Sequence, residues 1–425
     1  MITADCLVTH CEQLLTCKGP LPKRKDALQE VSPISDGCIA SLEGKIVFVG
    51  TDRDYRNKVR PKKKCLHIDG RGMVGLPGLV DPHTHLPFAG SREDEFLLRV
   101  KGHTYQQLAA QGLGIQTTVK ATREVSPQNL LSLCLTRLDS MLCHGTTTAE
   151  AKSGYGLNLE DELKQLRVLR EADLAHPVDV VPTFMGAHEV PPEFKTRKND
   201  YIDLIIKTML PEVKANRLAE FFDIFCEEGV YSLEETRDLV RAAKQAGLKI
   251  KIHADEFVSM GGAELAAQEK AVSAEHLIAI SEPGITALAE SGTAAILLPG
   301  VSFFLMQEKK APARTLIDRG AIVALASDFN PGSSMTESMF FIMQLAVFTL
   351  KMRVEEAINA STANAAYAIS RHEDVGSLEE GKEMDLILCS APNYASLVYH
   401  FGINPVRHVI KKGKLVVKDG RRITA

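Results

Sequence analysis

Short apolar runs alternate with amphipathic segments through the middle of the chain. Each run is rich in β-branched and apolar residues and is followed by turn residues and then by a segment with one polar face. Runs of this length and composition predict β-strands. The eight runs are 78–85, 145–150, 178–188, 222–228, 248–256, 271–277, 294–300 and 321–329.

The segments between these runs predict helices. Residues 159–174 and 232–248, for example, carry apolar residues at i, i+3, i+4 and i+7, which is the spacing of an amphipathic helix. Strands that alternate with helices pair in parallel, and eight such units in about 250 residues favour a (β/α)8 barrel. A doubly wound open sheet is the alternative, but its usual G-x-G-x-x-G turn does not follow the first run.

The two ends of the chain have a different pattern. Residues 36–50 and 406–420 each contain two short apolar runs around a Gly-containing turn, which predicts two β-hairpins. Neither end has enough strands for a core of its own. We therefore predict a small β-sandwich domain assembled from residues 1–76 and 376–425, with the barrel domain formed by residues 77–375.

Composition narrows the class of protein. The chain has 425 residues, of which 45% are hydrophobic, and its 50 Lys+Arg and 54 Asp+Glu give a net charge of -4. This balance argues against nucleic acid as the main partner. No apolar stretch is long enough to span a membrane, and the N-terminus resembles no secretory signal. These features predict a cytoplasmic enzyme that acts on a small molecule.

Polar side chains collect at the ends of the predicted strands, where a (β/α)8 barrel carries its active site. Four of the eight strand ends carry histidine, which packing alone does not explain. The polar residues at these ends are His83, His85, Glu150, His188, Glu227, His253, Glu256, His276 and Asp328.

Part of this set has the composition of a metal site. His83 and His85 are two apart on a predicted strand, so both rings can face the barrel mouth, and His253 and Asp328 complete three nitrogens and one oxygen. Such a site leaves a position for water, and a divalent ion lowers the pKa of that water. Asp328 could also accept a proton from it. The fourth run ends in Cys-Glu-Glu and offers no lysine that could bridge two ions after carboxylation, which favours one ion.

Two further residues could transfer protons. His276 lies one strand beyond His253 and could polarise a substrate oxygen or pass a proton. Glu256 follows His253 by three residues and could relay a proton. Hydrogen-bonded support of the metal ligands is the alternative role for both.

Several longer strings resemble the amidohydrolase superfamily. They are LPGLVDPHTHLPFAGSREDEF (76–96), TTTAEAKSGYGLN (146–158), TFMGAHEVP (183–191), IHADEF (252–257), SAEHL (273–277) and SDFNPGSS (327–334). H-x-H and H-A-D-E occur in many amidohydrolases. The combination with GSR, KSGYG, GAH and SDFNPGSS is most similar to the branch that hydrolyses 4-imidazolone-5-propanoate to N-formimidoyl-L-glutamate in histidine degradation.

The resemblance implies roles for individual residues. It implies that His83, His85, His253 and Asp328 hold one zinc or iron ion, that a metal-activated water attacks the ring carbonyl, and that the chain forms a homodimer. Glu256, His276 and Asp328 are the predicted catalytic residues, on the basis of their positions at the strand ends. The implied substrate contacts are Arg92, Tyr105, Tyr155, His188, Glu256, Asn330, Gly332 and Ser333.

Arg92 is the implied partner of the substrate's propionate, because a guanidinium can bind two carboxylate oxygens at once. Without the resemblance, Arg92 could equally pair with an acid of the SREDE string, and Tyr155 could pack on the barrel rim. The chain departs from the expected pattern at Leu113, where a glycine-richer run is expected, and at Ser333, where some relatives have threonine. Neither departure affects a metal ligand.

Two other functions are compatible with parts of this pattern. A deaminase of an aromatic base shares H-x-H, H-A-D-E and the eighth-strand aspartate, although a carboxylate-binding arginine has little use in its pocket. A catalytically inactive barrel that serves in binding or assembly is the third hypothesis, and the intact ligand set argues against it.

Overall fold

The structure is a computed structural model that describes residues 1–103 and 113–423. The N-terminal segment supplies five strands and one helix. They are β1 (Ile2–Leu15), β2 (Pro33–Leu42), β3 (Lys45–Thr51), α1 (Asp52–Lys58), β4 (Val59–Asp69) and β5 (Met73–Pro77). The predicted hairpin is formed by β2 and β3, in which Leu42 lies opposite Lys45.

Within the described chain, eight parallel strands form a second sheet in the order of the sequence. They are β6 (Leu79–Asp81), β7 (Thr146–Lys152), β8 (Asp179–Ala187), β9 (Phe221–Cys226), β10 (Lys249–Ala254), β11 (Ser273–His276), β12 (Ala294–Leu297) and β13 (Ile322–Leu325). Each overlaps one of the eight predicted runs, so the predicted barrel strands are confirmed. Strands of a parallel sheet are covered on both faces, and all seven residues of β7 are buried accordingly.

Helices connect these strands and cover the outside of the barrel. They are α2 (Glu93–Val100), α3 (Ile115–Glu124), α4 (Pro127–Cys143), α5 (Leu159–Ala175), α6 (Lys198–Leu204), α7 (Leu210–Ala215), α8 (Leu233–Gln245), α9 (Gly262–Gln268), α10 (Glu282–Glu290), α11 (Pro299–Phe304), α12 (Ala313–Arg319), α13 (Met339–Leu350), α14 (Val354–Ala360) and α15 (Ala363–Tyr367). A π-helical turn, Ile205–Met209, joins α6 to α7, and short 3-10 turns lie at Lys25–Gln29 and Pro192–Phe194.

The two segments predicted as amphipathic helices, 159–174 and 232–248, form α5 and α8. The side chain of Asn158 accepts a hydrogen bond from the backbone of Asp161 and begins α5. A capping box between Ser232 and Glu235 begins α8, which satisfies backbone N–H groups that the helix itself cannot.

Side-chain hydrogen bonds and a loop backbone bridge connect the first and last strands of the barrel. In the part of the chain that the structure describes, β6 and β13 share no ladder, but Thr84 bridges Phe329 and the carboxylate of Asp81 accepts hydrogen bonds from Ser327. The H-x-H pair was predicted on the first strand. It lies just beyond the end of β6, in the segment that this bridge keeps beside the eighth strand.

The C-terminal segment completes the first sheet. It supplies β14 (Leu386–Ser390), α16 (Ser396–Tyr399), β15 (Val406–Lys411), β16 (Lys414–Lys418) and β17 (Arg421–Arg422). β14 pairs with β5 in antiparallel orientation, which joins the strands from both ends of the chain into one mixed sheet. Apolar side chains from both halves, including Val8, Ile39, Leu388 and Ile410, share one core. The prediction that both ends of the chain build one small β-structure is therefore confirmed, while the domain bounds stay a prediction.

No helix in the ranges 1–103 and 113–423 has the length and apolar character needed to cross a membrane.

Candidate metal and substrate site

Three histidines and an aspartate meet at the C-terminal mouth of the barrel. The ring centroids of His83 and His253 are 4.6 Å apart, and those of His85 and His253 are 5.6 Å apart. Oδ1 of Asp328 lies 3.1 Å from Nε2 of His83 and 3.4 Å from Nε2 of His85. The four predicted ligands, drawn from chain positions up to 245 residues apart, thus form one buried cluster.

The donor atoms of this cluster fit a metal ion. Among the described residues, Nε2 of His83, Nε2 of His253 and Oδ1 of Asp328 are buried and make no hydrogen bond, although buried polar atoms normally have a partner. Donor atoms of His83, His85 and His253 lie within 4.8 Å of one another. Three imidazole nitrogens and a carboxylate oxygen suit zinc and also suit iron.

Asp328 is held in its ionised form. Burial alone would raise the pKa of its carboxyl group, but the neighbouring imidazoles of His83 and His85 hold that pKa well below its usual value. The backbone of Asp328 has φ 50°, in the left-handed region. Such strained backbone is concentrated at functional sites in proteins.

A second layer of carboxylates lies beneath the histidines. Oδ1 of Asp223 is 3.0 Å from Nδ1 of His253, and Oε2 of Glu275 is 3.3 Å from Nδ1 of His83. A carboxylate at Nδ1 fixes the orientation and tautomer of an imidazole and leaves Nε2 for a metal. Both ligand histidines therefore present Nε2 toward the cluster.

Two buried lysines hold these carboxylates in turn. Nζ of Lys152 is 2.7 Å from Asp223 and 2.8 Å from Glu150, and Nζ of Lys251 is 2.9 Å from Glu275. Our reading of the sequence did not identify this network, apart from Glu150 as a polar residue at a strand end. The available signal was the presence of charged residues inside strands that are otherwise apolar, because a buried charge requires a partner.

Glu256 and His276 lie together beside the cluster. Oε2 of Glu256 is 3.6 Å from Nε2 of His276. Burial, reinforced by the carboxylates of Asp328 and Glu227, raises the pKa of Glu256 well above its usual value. Burial lowers the pKa of His276 to about 3. Burial therefore favours the protonated form of Glu256 and the neutral imidazole of His276.

Arg92 projects into the same cavity from the start of α2. Its Nε and Nη2 atoms are 2.8 Å and 2.7 Å from Oε2 of the buried Glu95. A Cβ atom on Gly332 would lie 2.1 Å from Nη1 of Arg92, so a larger residue at this position would displace the guanidinium from where it lies. Arg99, which the sequence did not single out, donates from Nη1 to the carbonyl oxygen of Gly332 at 2.9 Å.

Tyr155 and His188 form another wall of the cavity. The ring of His188 stacks on that of His85 at a centroid distance of 5.0 Å, and the ring of Tyr155 is 5.4 Å from that of His188. Burial lowers the pKa of His188 to about 3, so its ring is neutral. The cavity has a volume of about 820 Å³, which is ample for a small molecule.

Asn330 and Ser333 contact Asp328 directly. Nδ2 of Asn330 donates to Oδ2 of Asp328 at 3.1 Å, and Oγ of Ser333 lies 3.3 Å from the same oxygen. Oδ1 of Asn330 accepts hydrogen bonds from the backbone of Gly332 and Ser333. These contacts orient the carboxylate of Asp328 and fix the turn beside Arg92. The predicted substrate contact Tyr105 lies outside the described residues.

Comparisons with known proteins identify relatives of this chain. The Amidohydrolase family matches residues 74–416. A protein named imidazolonepropionase from Shouchella clausii (strain KSM-K16) is 50% identical over 414 residues, which cover 97% of this chain and 92% of that protein. An imidazolonepropionase from Treponema denticola is 52% identical over 356 residues, which cover 84% of this chain and 86% of that protein.

Solved structures share the fold at much lower identity. An adenosine deaminase from Xanthomonas campestris with bound zinc is 19% identical, with a TM-score of 0.74 over 100% of this chain and 95% of that one. Atrazine chlorohydrolase from Arthrobacter aurescens, complexed with zinc, is 18% identical, with a TM-score of 0.69 over 99% of this chain and 97% of that one. At such identities the likeness concerns the architecture alone.

Proposed function

This chain belongs to the amidohydrolase family, and from that premise we propose that it hydrolyses 4-imidazolone-5-propanoate to N-formimidoyl-L-glutamate in L-histidine degradation. This is the activity named for relatives that are about half identical over almost the whole chain. One observation of the site carries the proposal. Arg92 lines the same cavity as His85, His253 and Asp328. One small anionic ligand in this cavity can therefore contact both the arginine and the histidine–aspartate cluster.

In this scheme His83, His85, His253 and Asp328 hold one divalent ion, zinc or iron. The ion would lower the pKa of a bound water and polarise the carbonyl group of the substrate. We propose one ion because, among the described residues, buried ligand atoms of His83, His253 and Asp328 without a hydrogen bond lie together at the cavity floor. The carboxylates below them contact Lys152 and Lys251.

Arg92 binds the propionate group through charge-assisted hydrogen bonds. Glu95 accepts hydrogen bonds from one edge of the Arg92 guanidinium and so fixes the plane in which the guanidinium binds the substrate's carboxylate. His188 and Tyr155 contact the imidazolone ring from the opposite wall. With the propionate held at one end, the ring carbonyl is directed toward the histidine cluster, which is the positioning that hydrolysis requires.

The remaining residues move protons. Water adds across the ring amide: its oxygen bonds to the carbonyl carbon, the C–N bond breaks, and the ring nitrogen receives a proton. Asp328, which is ionised, accepts the proton that the water loses. Glu256, whose protonated form is favoured by burial, donates to the departing nitrogen, and the neutral His276 hydrogen-bonds the oxygen on which charge develops.

The test is to supply the substrate. Enzymatically generated imidazolone propionate is incubated with the purified protein, and its ultraviolet absorbance and the formation of N-formimidoyl-L-glutamate are followed. The proposal predicts loss of absorbance with equimolar product, and no conversion by a His253→Ala control. Ammonia release from purines or pyrimidines, without turnover of imidazolone propionate, would instead support the deaminase hypothesis. A homodimer and a cytoplasmic location stay predictions.

A further inference from the structure

The loop that carries Tyr155 is held by a buried carboxylate on a neighbouring helix. Glu162, in the first turn of α5, is completely buried. Its Oε2 accepts a hydrogen bond from the backbone N–H of Gly154 at 3.1 Å, and its Oε1 accepts from Gly156 at 2.9 Å and Leu157 at 2.8 Å. One side chain therefore satisfies three N–H groups of a tight loop.

A second side chain of the same helix completes this arrangement. Gln165 lies on the same face of α5, three residues after Glu162, and its Oε1 accepts from the backbone N–H of Tyr155 at 3.1 Å. The four consecutive N–H groups from residue 154 to residue 157 thus all donate to α5. Glutamate at the first turn of a helix is also favoured by the helix dipole.

The sequence of the loop fits this close approach. A Cβ atom on Gly156 would lie 2.4 Å from the backbone nitrogen of Glu162, so a larger residue would push the loop away from the carboxylate. The glycine and the glutamate are therefore one structural unit, although they are six residues apart.

The loop in turn positions two walls of the cavity. The carbonyl oxygen of Gly154 lies 3.0 Å from Nδ1 of His188, within hydrogen-bond distance. The ring of Tyr155 lies 5.4 Å from that of His188 and 5.8 Å from that of His85. Fixing the backbone at residues 154–157 therefore fixes the neighbouring faces of Tyr155 and His188 without any contact between Glu162 and the ligand.

We propose that Glu162 is a positioning residue for substrate binding: its carboxylate fixes the 154–157 loop so that Tyr155 and His188 receive the imidazolone ring. The inference rests on the proposed function for the identity of the ligand. In this proposal α5 contributes to substrate recognition indirectly, by holding the 154–157 loop, and its side chains do not contact the substrate.

The test compares Glu162→Gln with Glu160→Gln. Both variants remove one negative charge from the first turn of α5, but Glu160 is exposed. An amide has one acceptor oxygen instead of two, so Glu162→Gln cannot accept all three N–H groups. We expect KM for imidazolone propionate to rise about tenfold in Glu162→Gln, the effect of losing one hydrogen bond to a charged group, with a smaller change in kcat. Bound metal should be unchanged, and Glu160→Gln should match the unmodified protein.

Amide hydrogen exchange of the peptide that spans residues 153–158 provides a readout that needs no substrate. Exchange in this peptide should accelerate at least tenfold in Glu162→Gln and stay unchanged in Glu160→Gln. If the unmodified protein does not turn over imidazolone propionate, the proposed function fails, while accelerated exchange still supports the carboxylate as the holder of the loop.

Gln165→Leu keeps the experiment decisive if Glu162→Gln does not fold. It removes the acceptor for the N–H of Tyr155 and leaves the carboxylate in place, and we expect a rise in KM of about threefold to fivefold for this neutral hydrogen bond. An unchanged KM in the folded Glu162→Gln variant, or in Gln165→Leu where Glu162→Gln is unfolded, would overturn the inference.

Discussion

The two ring nitrogens of His253 have different surroundings. Nδ1 is 3.0 Å from the buried carboxylate of Asp223, whereas Nε2 is buried and makes no hydrogen bond within the described residues. Asp223 is itself paired with Lys152 at 2.7 Å. Asp223 and Lys152 therefore set the tautomer of His253, although neither would contact the ion or the substrate.

Replacing Asp223 with asparagine tests this arrangement. Asparagine keeps the shape of the side chain but removes the charge that favours a proton on Nδ1, so we expect affinity for zinc to fall about 10-fold to 100-fold. Affinity is measured by competition with a chelator. The control is Asp203→Asn, which alters an exposed carboxylate paired with Lys207. Equal zinc affinity in the two variants would show that Asp223 does not support the metal site.

Replacing Arg92 with lysine tests recognition of the propionate. Lysine keeps the positive charge but loses the planar, two-pronged hydrogen bonding. We expect KM to rise between about tenfold and 100-fold, which corresponds to about 1.4 to 2.7 kcal/mol and is within the range for a charged hydrogen bond, with little effect on kcat. Arg197→Lys is the matched control, because Arg197 forms an exposed i,i+3 pair with Asp200. A KM unchanged in Arg92→Lys would remove Arg92 from substrate binding.

At the scale of residues, the sequence predicted the cluster but not its support. The four predicted ligands occupy strand ends, a position that already indicates chemistry in a barrel. Asp223, Lys152 and Glu275 lie inside strands, where one charged residue gives no indication of which distant residue it pairs with. Their partners became apparent only when β7, β9 and β11 were placed around a common axis.

The strands and helices were predicted because each has a clear local pattern. The length of β6 was not predicted, because it depends on contacts with the eighth barrel strand, which lies far away in the sequence. β6 has only three residues, and the seam with β13 depends on Asp81, whose Oδ1 and Oδ2 accept from the backbone N and the Oγ of Ser327 at 3.1 Å and 2.5 Å. The H-x-H segment is thus held to the eighth strand by side chains as well as by backbone.

Ser327→Ala should weaken this seam. The substitution removes a hydrogen bond to a fully buried carboxylate, so we expect the free energy of unfolding to fall by about 1–3 kcal/mol. Urea denaturation followed by circular dichroism measures the change. Ser396→Ala, which removes an exposed hydrogen bond to Asn393, should change the stability by less than about 0.5 kcal/mol. A loss of stability no larger than that of the control would mean that the Asp81–Ser327 contact does not hold the barrel closed.

At the scale of the whole molecule, the small sheet is joined to the base of the barrel by a buried ion pair. Nζ of Lys411, in β15, is 2.6 Å from Asp179 at the start of β8 and 2.5 Å from Asp385. This contact lies at the opposite end of the barrel strands from the histidine cluster. The division of the chain at residues 76 and 376 stays a prediction, while the shared sheet explains why both termini are needed.

Lys411→Met should separate stability from catalysis. Removing Lys411 leaves the buried carboxylate of Asp385 without its cation, so we expect a loss of about 3–5 kcal/mol in the free energy of unfolding. The neighbouring Lys412 also pairs with Asp179 but is half exposed, and Lys412→Met should cost less than about 1 kcal/mol. Both variants should retain the kcat/KM of the unmodified protein at 25 °C. A selective loss of kcat/KM in Lys411→Met would show that the sheet contributes to the site.

The near-neutral charge of the molecule is compatible with an anionic ligand. The net charge is -4, so the surface does not attract anions in general. In the proposed function Arg92, which lines the cavity together with the buried Arg99, supplies the local positive charge for the substrate's carboxylate. Recognition is therefore confined to the cavity and does not depend on the surface.

If the proposed function is correct, hydrolysis of imidazolone propionate requires a bound metal ion, and removal of the metal tests this requirement. The protein is stripped with a chelator, assayed with the substrate, and then titrated with zinc or iron while activity and bound metal are measured together. We predict that the stripped protein is inactive and that activity returns in proportion to bound metal and saturates at one ion per chain. Undiminished turnover by the metal-free protein would contradict it.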